Sequence, residues 1–279
     1  MANAVTKKQA TDVAEWGDYA GATGFENVDR SELAIPFVNV LQSNSELVED
    51  GKAKQGQFYN NVMETVMDDF RFIPCYRQRV FVEWVPVDSG GGFVGVHDPD
   101  SQFVQDAIRK NGNSPIKLQC HDAETGEVHD LVETIYLYGL VLDDDGDYER
   151  VVLGFSSMKL KKYRQFITKA TAQTLVVGDR RIKLPLWAHV WRVTTEQEIA
   201  KSNGKKFQNI SLSFDGGSAK DCRLAPNDDL FQAGLAFHDM VSEGAAKADL
   251  GTADRTDQAG GEENGGGNPT PDLDDDIPI

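Results

Sequence analysis

The sequence predicts a mainly β protein with short helices and an acidic C-terminal tail. Three observations lead there. Two long stretches, 70–85 and 128–142, are strand-like, and the first alternates apolar and polar side chains over 79–84 with the period of a strand. One basic amphipathic helix over 156–174 is followed by two more strand-like runs, 186–194 and 206–214. Beyond Gly244 large apolar residues nearly vanish among Gly, Asp, Glu, Asn and Pro, a composition unable to bury a core.

Taken in order, residues 1–30 are polar and form a loosely held N-terminal arm, with Trp16 and Tyr19 as the side chains able to dock on the body. The domain proper runs over 31–243. Ser31–Leu41 surrounds Pro36 with apolar residues, which favours an extended segment over a helix. Gly51–Gly56 is a turn, and Gln57–Val62 a short aromatic strand. In 70–85 the alternation sets Val80, Val82 and Trp84 on one face and Arg79, Phe81 and Glu83 on the other. With the valine face as core, Arg77, Arg79 and Phe81 lie outside together. Residues 88–130 are an insertion with a flexible start at Ser89–Phe93, a short helix over Asp100–Lys110 and a strand over Ile116–Cys120.

After the second long strand, Asp143–Asp147 turns the chain into Arg150–Phe155, a hairpin by its Asp-Gly signal. A calcium loop is excluded here, because the glycine falls at the fourth position where that loop requires the sixth. Along 156–174, Leu160, Tyr163, Ile167 and Ala170 form one stripe, and Lys161, Lys162, Arg164 and Lys169 face elsewhere. In the last strand Ile210, Leu212 and Phe214 point inward, and Phe207, Asn209 and Ser211 outward. Asn227–Asp229 opens a final helix to about Val241, acids being favourable in a first turn. Residues 244–270 are a disordered linker, made flexible by Gly265–Gly267, and 271–279 a terminal tip.

This order of elements resembles an OB-fold, a five-stranded barrel in which a helix links the third and fourth strands. Here it carries added strands and the 88–130 insertion. A two-layer α+β sandwich is the other arrangement that the same string permits.

The net charge of −17 opposes binding to nucleic acid when taken as a sum, but its distribution matters more. Residues 239–279 carry −9, the rest of the chain −8, and residues 150–206 alone +10. An acidic chain with one concentrated basic block is compatible with a groove for a polyanion. Cys75, Cys120 and Cys222 are odd in number and form no Cys-x-x-Cys pair, so they are expected to be reduced thiols in a cytosolic protein. No apolar run approaches the length of a bilayer span, and Met1–Lys8 lacks the apolar stretch of a secretory signal. No membrane partner is expected.

Binding single-stranded nucleic acid without sequence preference needs cations that track phosphates and flat side chains that stack on bases. Four stretches interleave them: Arg77, Arg79 and Phe81; Lys159, Lys161, Lys162 and Arg164; Trp187, Trp191 and Arg192; Lys205, Lys206 and Phe207. Tyr136 and Tyr138 add two rings that serve either a base or the core. Trp187 and Trp191 are spaced as one face of a strand and have the same two roles open to them. Tyr163 packs its helix inward. Other chemistry has less to stand on. Cys120, His121 and His129, with Cys75 or His97, lack the ligand spacing of a zinc site, and no nucleophile elbow, P-loop or zincin motif is present. Asp68–Asp69 and Asp143–Asp147 sit in turns, where acids are ordinary. The sequence therefore points to a protein that is not an enzyme and needs no cofactor.

The terminal nine residues carry a second resemblance. Asp272, Asp274, Asp275 and Asp276 precede Ile277-Pro278-Ile279 and the α-carboxylate. This resembles the acidic tip of bacterial and phage single-stranded DNA-binding proteins, which commonly ends Asp-Phe-Asp-Asp-Asp-Ile-Pro-Phe; Leu273 and Ile279 stand where that family has phenylalanines. The resemblance implies a phage protein that coats single-stranded DNA during replication, recombination and repair in the cytoplasm of the bacterial host. Asp274, Asp275, Asp276, Ile277, Pro278 and Ile279 would then recruit replication and recombination proteins. An adaptor or decoy that displays such a tip without binding DNA is the alternative, and a metal-dependent nuclease a third. A homo-oligomer is left open.

Overall fold

A computed structural model describes residues 35–111, 117–122, 125–200, 204–246 and 248. The expected N-terminal arm, all but the start of the linker, and the tip lie outside these residues. The described part is mainly β, with antiparallel sheets and few helices.

Two long strands form the spine, β4 (Phe70–Val85) and β7 (Val128–Leu142), paired from Arg71↔Leu142 to Trp84↔Asp130. Each is too long for one neighbour to flank it fully. On the free side of β4, β11 (Trp191–Ile199) pairs at Phe70–Phe72 and β5 (Gly92–His97) at Phe81–Val85. On the free side of β7, β8 (Tyr148–Ser156) pairs with Thr134–Leu142 and β6 (Lys117–His121) with Val128–Val132. β12 (Lys206–Phe214) completes the sheet beyond β11. The insertion between β4 and β7 thus supplies β5, β6 and the helix α2 (Gln102–Asn111).

The register of β4 changes between Pro74 and Tyr76. Proline donates no ladder bond and is tolerated in a strand where the pairing is interrupted. The bulge also exchanges faces: Phe70 and Phe72 share a face with Arg77, Arg79 and Phe81, while Ile73, Val80, Val82 and Trp84 share the other. Gly139, opposite Pro74, has no room for a side chain, since a Cβ there would lie 2.3 Å from Phe72 Cζ and 2.4 Å from the Ile73 carbonyl oxygen.

Both faces of the sheet are covered. On the valine face α4 (Asp229–Ser242) seats Phe237 and Met240 against Ile73, Cys75, Tyr136, Tyr138 and Val152. Full burial of such side chains is worth about 1.5–3 kcal/mol each. On the other face α3 (Ser157–Thr171) lowers Leu160, Tyr163 and Phe166 onto Phe155, Trp191 and Ile210. Phe166 meets the Trp191 ring edge-on at 4.8 Å between centroids. Against β8 and β12 lies a small sheet of β1 (Val38–Val40), β2 (Phe58–Asn60) and β3 (Thr65–Met67), with the single-turn helix α1 (Glu46–Glu49) joining β1 to β2 in the chain.

The expected OB-fold-like barrel does not close. Among the described residues β8 and β12 do not pair, so the sheet stays open. The segment around β1 occupies the gap. Val152 of β8 donates its N–H to the Pro36 carbonyl at 2.8 Å, and the Gln42 amide bonds both the carbonyl and the N–H of Gln208 in β12, each at 2.9 Å. A strand-like insert therefore takes the hydrogen bonds that barrel closure would otherwise use. Two smaller corrections concern local structure. The run 186–194 is not one strand: Leu186–Ala188 is a 3-10 turn following Pro185, and β11 starts at Trp191. Between α3 and that turn lies an unanticipated hairpin, β9 (Thr174–Val177) and β10 (Arg180–Lys183).

Candidate nucleic-acid interface

The centre of the candidate site lies on the distal half of β4 and β7, beside α3. Past the bulge, alternation aims Arg77, Arg79, Phe81 and Glu83 at the face on which α3 and α2 rest, and β7 sets Glu133 opposite Phe81. Glu133 is only 3% exposed, and each of its oxygens accepts from a different guanidinium. Arg79 Nε lies 2.8 Å from Oε1, and Arg164 Nη2, from α3, lies 2.7 Å from Oε2. Arg77 Nε donates to the Tyr163 hydroxyl at 3.0 Å. Burial pushes the Tyr163 phenol up, against the pull of the Arg77 charge, so the oxygen stays a neutral acceptor.

Three guanidiniums, two of them on the Glu133 carboxylate and the third on neutral Tyr163, leave two positive charges in excess. Each guanidinium has five N–H donors, of which these contacts take one, so the outward N–H groups keep the fork geometry that suits phosphate oxygens. The internal bonds hold the side chains in place before any ligand arrives, which lowers the entropy lost on binding.

Across α3, towards β11 and β12, Lys162 does not extend this excess, because two carboxylates face its one positive charge. Lys162, on its other flank, bonds Glu196 at 2.5 Å and Glu198 at 2.9 Å, and these carboxylates raise its pKa. Burial alone lifts Glu198, but hydrogen bonds from Asn209 and Lys162, with the charges of Lys162 and Lys161, hold its carboxyl below the ordinary range. Lys161 is exposed on α3, and Lys205, Lys206 and Phe207 lie at the end of the same hairpin, Phe207 paired with Glu198. The sequence-predicted residues Arg77, Arg79, Lys161, Lys162, Arg164, Lys205, Lys206 and Phe207 are thus brought to α3 and the strands beside it.

The remaining predicted residues are placed elsewhere. Phe81 is fully buried under α2, packed with Val104, Ala107 and Leu118, although Arg79 still lies 5.4 Å over its ring. Tyr136 and Tyr138 are buried under α4, the Tyr138 hydroxyl donating to Gln78 Oε1 at 3.1 Å. Trp191 and Lys159 are buried as well. None of these has a face open to a base or a phosphate, and for Trp191 and the two tyrosines the core role is the one taken. Trp187 is half-buried between His238 and Phe231 of α4. Arg192 is held by two carboxylates, Asp69 at 2.6 Å and Asp215 at 3.2 Å, which leaves that spot anionic. Asn209, expected to point outward, is buried and bonds Glu198 at 3.0 Å. The tip residues lie outside the described part.

Sequence reasoning missed Glu133, the residue that gathers Arg79 and Arg164. Its signal was an acid within an otherwise apolar strand run, 131–142. It also missed a neighbouring polar core: Glu83 places its two oxygens 2.6 Å from His97 Nε2 and 2.7 Å from His129 Nδ1, with Cys120 Sγ at 3.7 Å. Burial, then the Glu83 charge, push the Cys120 thiol up to about 12, and burial drives Cys75 higher still. Both therefore remain protonated thiols. Among the described residues no group of three or more His, Cys, Asp or Glu side chains has a geometry that would hold a metal ion. No helix among them is long and apolar enough to cross a membrane.

The chain matches the family model of the Pam3 phage gp34-like protein over residues 4–247. No curated protein and no solved structure matches it.

Proposed function

Since the chain belongs to the Pam3 phage gp34-like family and is a phage protein, we propose that it binds single-stranded DNA through the cationic surface around α3. The observation that carries this reading is the trio Arg77, Arg79 and Arg164, preorganised on Glu133 and Tyr163 with a net charge of +2. The strand order supports an OB-like ancestry for the surface. Apart from the insertion between β4 and β7 and the β9–β10 hairpin, β4, β7 and β8, then helix α3, then β11 and β12 come in the order of the five strands and the linking helix of that fold, and such barrels are often partly open. In this reading the tip, Asp274–Ile279, binds replication and recombination proteins. While no DNA is bound, it competes for the same cations, being a flexible polyanion itself.

Binding is chiefly ionic, because the rings expected to stack are largely interior; only Phe207 is half-exposed beside the cations. That same withdrawal of rings favours a second reading, an adaptor that displays the tip without binding DNA. Titration of the full chain with a labelled oligothymidylate, repeated on duplex, separates them. Binding to the single strand that weakens steeply with salt supports the first. No binding at low salt leaves the second.

A further inference from the structure

The hairpin β9–β10 stands apart from the rest of the described fold. Its strands pair only with each other, from Thr174↔Lys183 to Val177↔Arg180, around a turn in which Gly178 takes φ +57°. An isolated two-stranded hairpin is marginal in water, and both of its outer edges are unpaired. It nevertheless leaves aliphatics and cations exposed on both faces: Val177 and Ile182, at 53% and 48%, share one face with Arg180, and Val176, at 63%, shares the other with Arg181 and Lys183. Such a feature needs cover. Nucleic acid suits it poorly, because its apolar side chains are branched aliphatics and none of residues 174–183 has a ring to stack on a base.

A matching surface exists elsewhere on the body. The β2–β3 turn exposes Val62 and Met63 at 50% and 54%, beside Glu64, and Val66 of β3 is 40% exposed. The β7–β8 turn, with the exposed Asp144 and Asp145, is tied to it where Asn60 donates to Glu149 at 3.1 Å. One surface is aliphatic and basic, the other aliphatic and acidic, and neither covers the other within the chain.

We propose that the β9–β10 arm of one copy docks on the β2–β3 and β7–β8 turns of a second copy. The two contacting surfaces differ, so the contact repeats from copy to copy and builds a row. The occupant is a second copy because the complementary charge and the complementary apolar surface lie on the same chain. The inference does not depend on DNA binding, although a row of copies is a form suited to coating a strand.

The test is sedimentation velocity on the full chain, without DNA. We expect a mass that rises with concentration above the 30.7 kDa monomer and falls back between roughly 50 and 500 mM salt, as screening shortens the reach of the charges. One triple variant, Arg180→Glu, Arg181→Glu and Lys183→Glu, and another, Glu64→Lys, Asp144→Lys and Asp145→Lys, should each be monomeric alone. Mixed in equal amounts they should associate, since the reversed arm of one meets the reversed turns of the other. A wild type that stays monomeric at about 100 μM and low salt, where charge contacts reach furthest, overturns the proposal. So does a mixture that fails to associate while both variants melt like wild type. An arm variant that loses oligothymidylate affinity with the wild-type mass unchanged overturns it too, and assigns the arm to nucleic acid.

Discussion

Replacing Arg77 and Arg164 together by glutamine isolates the ionic contribution of the α3 surface. Arg79 keeps its 2.8 Å bond to Glu133, so the buried carboxylate retains a partner while the excess charge of the cluster falls from +2 to zero. Each phosphate neutralised on a single strand contributes about 0.7 to the slope of log affinity against log salt, so the slope should shrink by about 1.4. Over a fourfold rise in salt, from ~50 to ~200 mM, the wild type should lose about 7-fold more affinity than the variant. Fluorescence anisotropy with a labelled oligothymidylate at four or five salt concentrations measures this directly. The Arg164 side chain is 48% exposed, so its bridge is worth at most about 1 kcal/mol. For a domain of this size that is a fall in melting temperature of about 2–4 °C. Slopes that agree within about 0.3, with both proteins folded, would refute the assignment of these arginines to phosphate.

Three further outcomes follow from the same geometry. Deleting residues 271–279 should leave affinity for single strands equal or higher, and a large loss in the same titration would contradict competition by the tip. Gly139→Ala forces a Cβ to within 2.4 Å of the Ile73 carbonyl oxygen; overpacking of this kind costs about 3 kcal/mol, and a thermal melt within 2 °C of wild type would show that β4 can yield. Burial, with the Arg223 charge adding to it, holds the His189 imidazole below its ordinary value of 6.5. The unfolded chain therefore takes up that proton first, so the stability tied to neutral His189 is present above pH 6.5 and is lost as pH falls through the folded value. His189→Gln should reduce the drop in denaturation midpoint between about pH 7 and pH 5, around that ordinary value; an unchanged drop would argue that the imidazole is not held neutral.

Much of this protein was legible before folding. The length of 70–85 and 128–142, the alternation over 79–84, the amphipathic stripe of 156–174 and the Asp-Gly turn at 143–147 are local signals, set by side-chain period and turn chemistry. The gathering of basic residues in 150–206 and the acidity of the C-terminal forty are likewise properties of composition alone. The β9–β10 hairpin carried a local signal as well, two short runs around Val177-Gly178-Asp179-Arg180, and was hidden only by its closeness to the helix.

Burial was settled by partners distant in sequence. Phe81 alternates outward on β4, yet α2 and β6 arrive from the insertion to cover it; Tyr136 and Tyr138 face outward from the sheet until α4 lies across them. Whether Arg79 and Arg164 meet is decided by one acid on β7 that no spacing links to either. Closure was decided in the same way, by residues 36–42 taking the hydrogen bonds between β8 and β12. Period tells which side chains share a face; only the assembled layers tell which faces meet water, because burial depends on what lies opposite rather than on what lies adjacent in the chain.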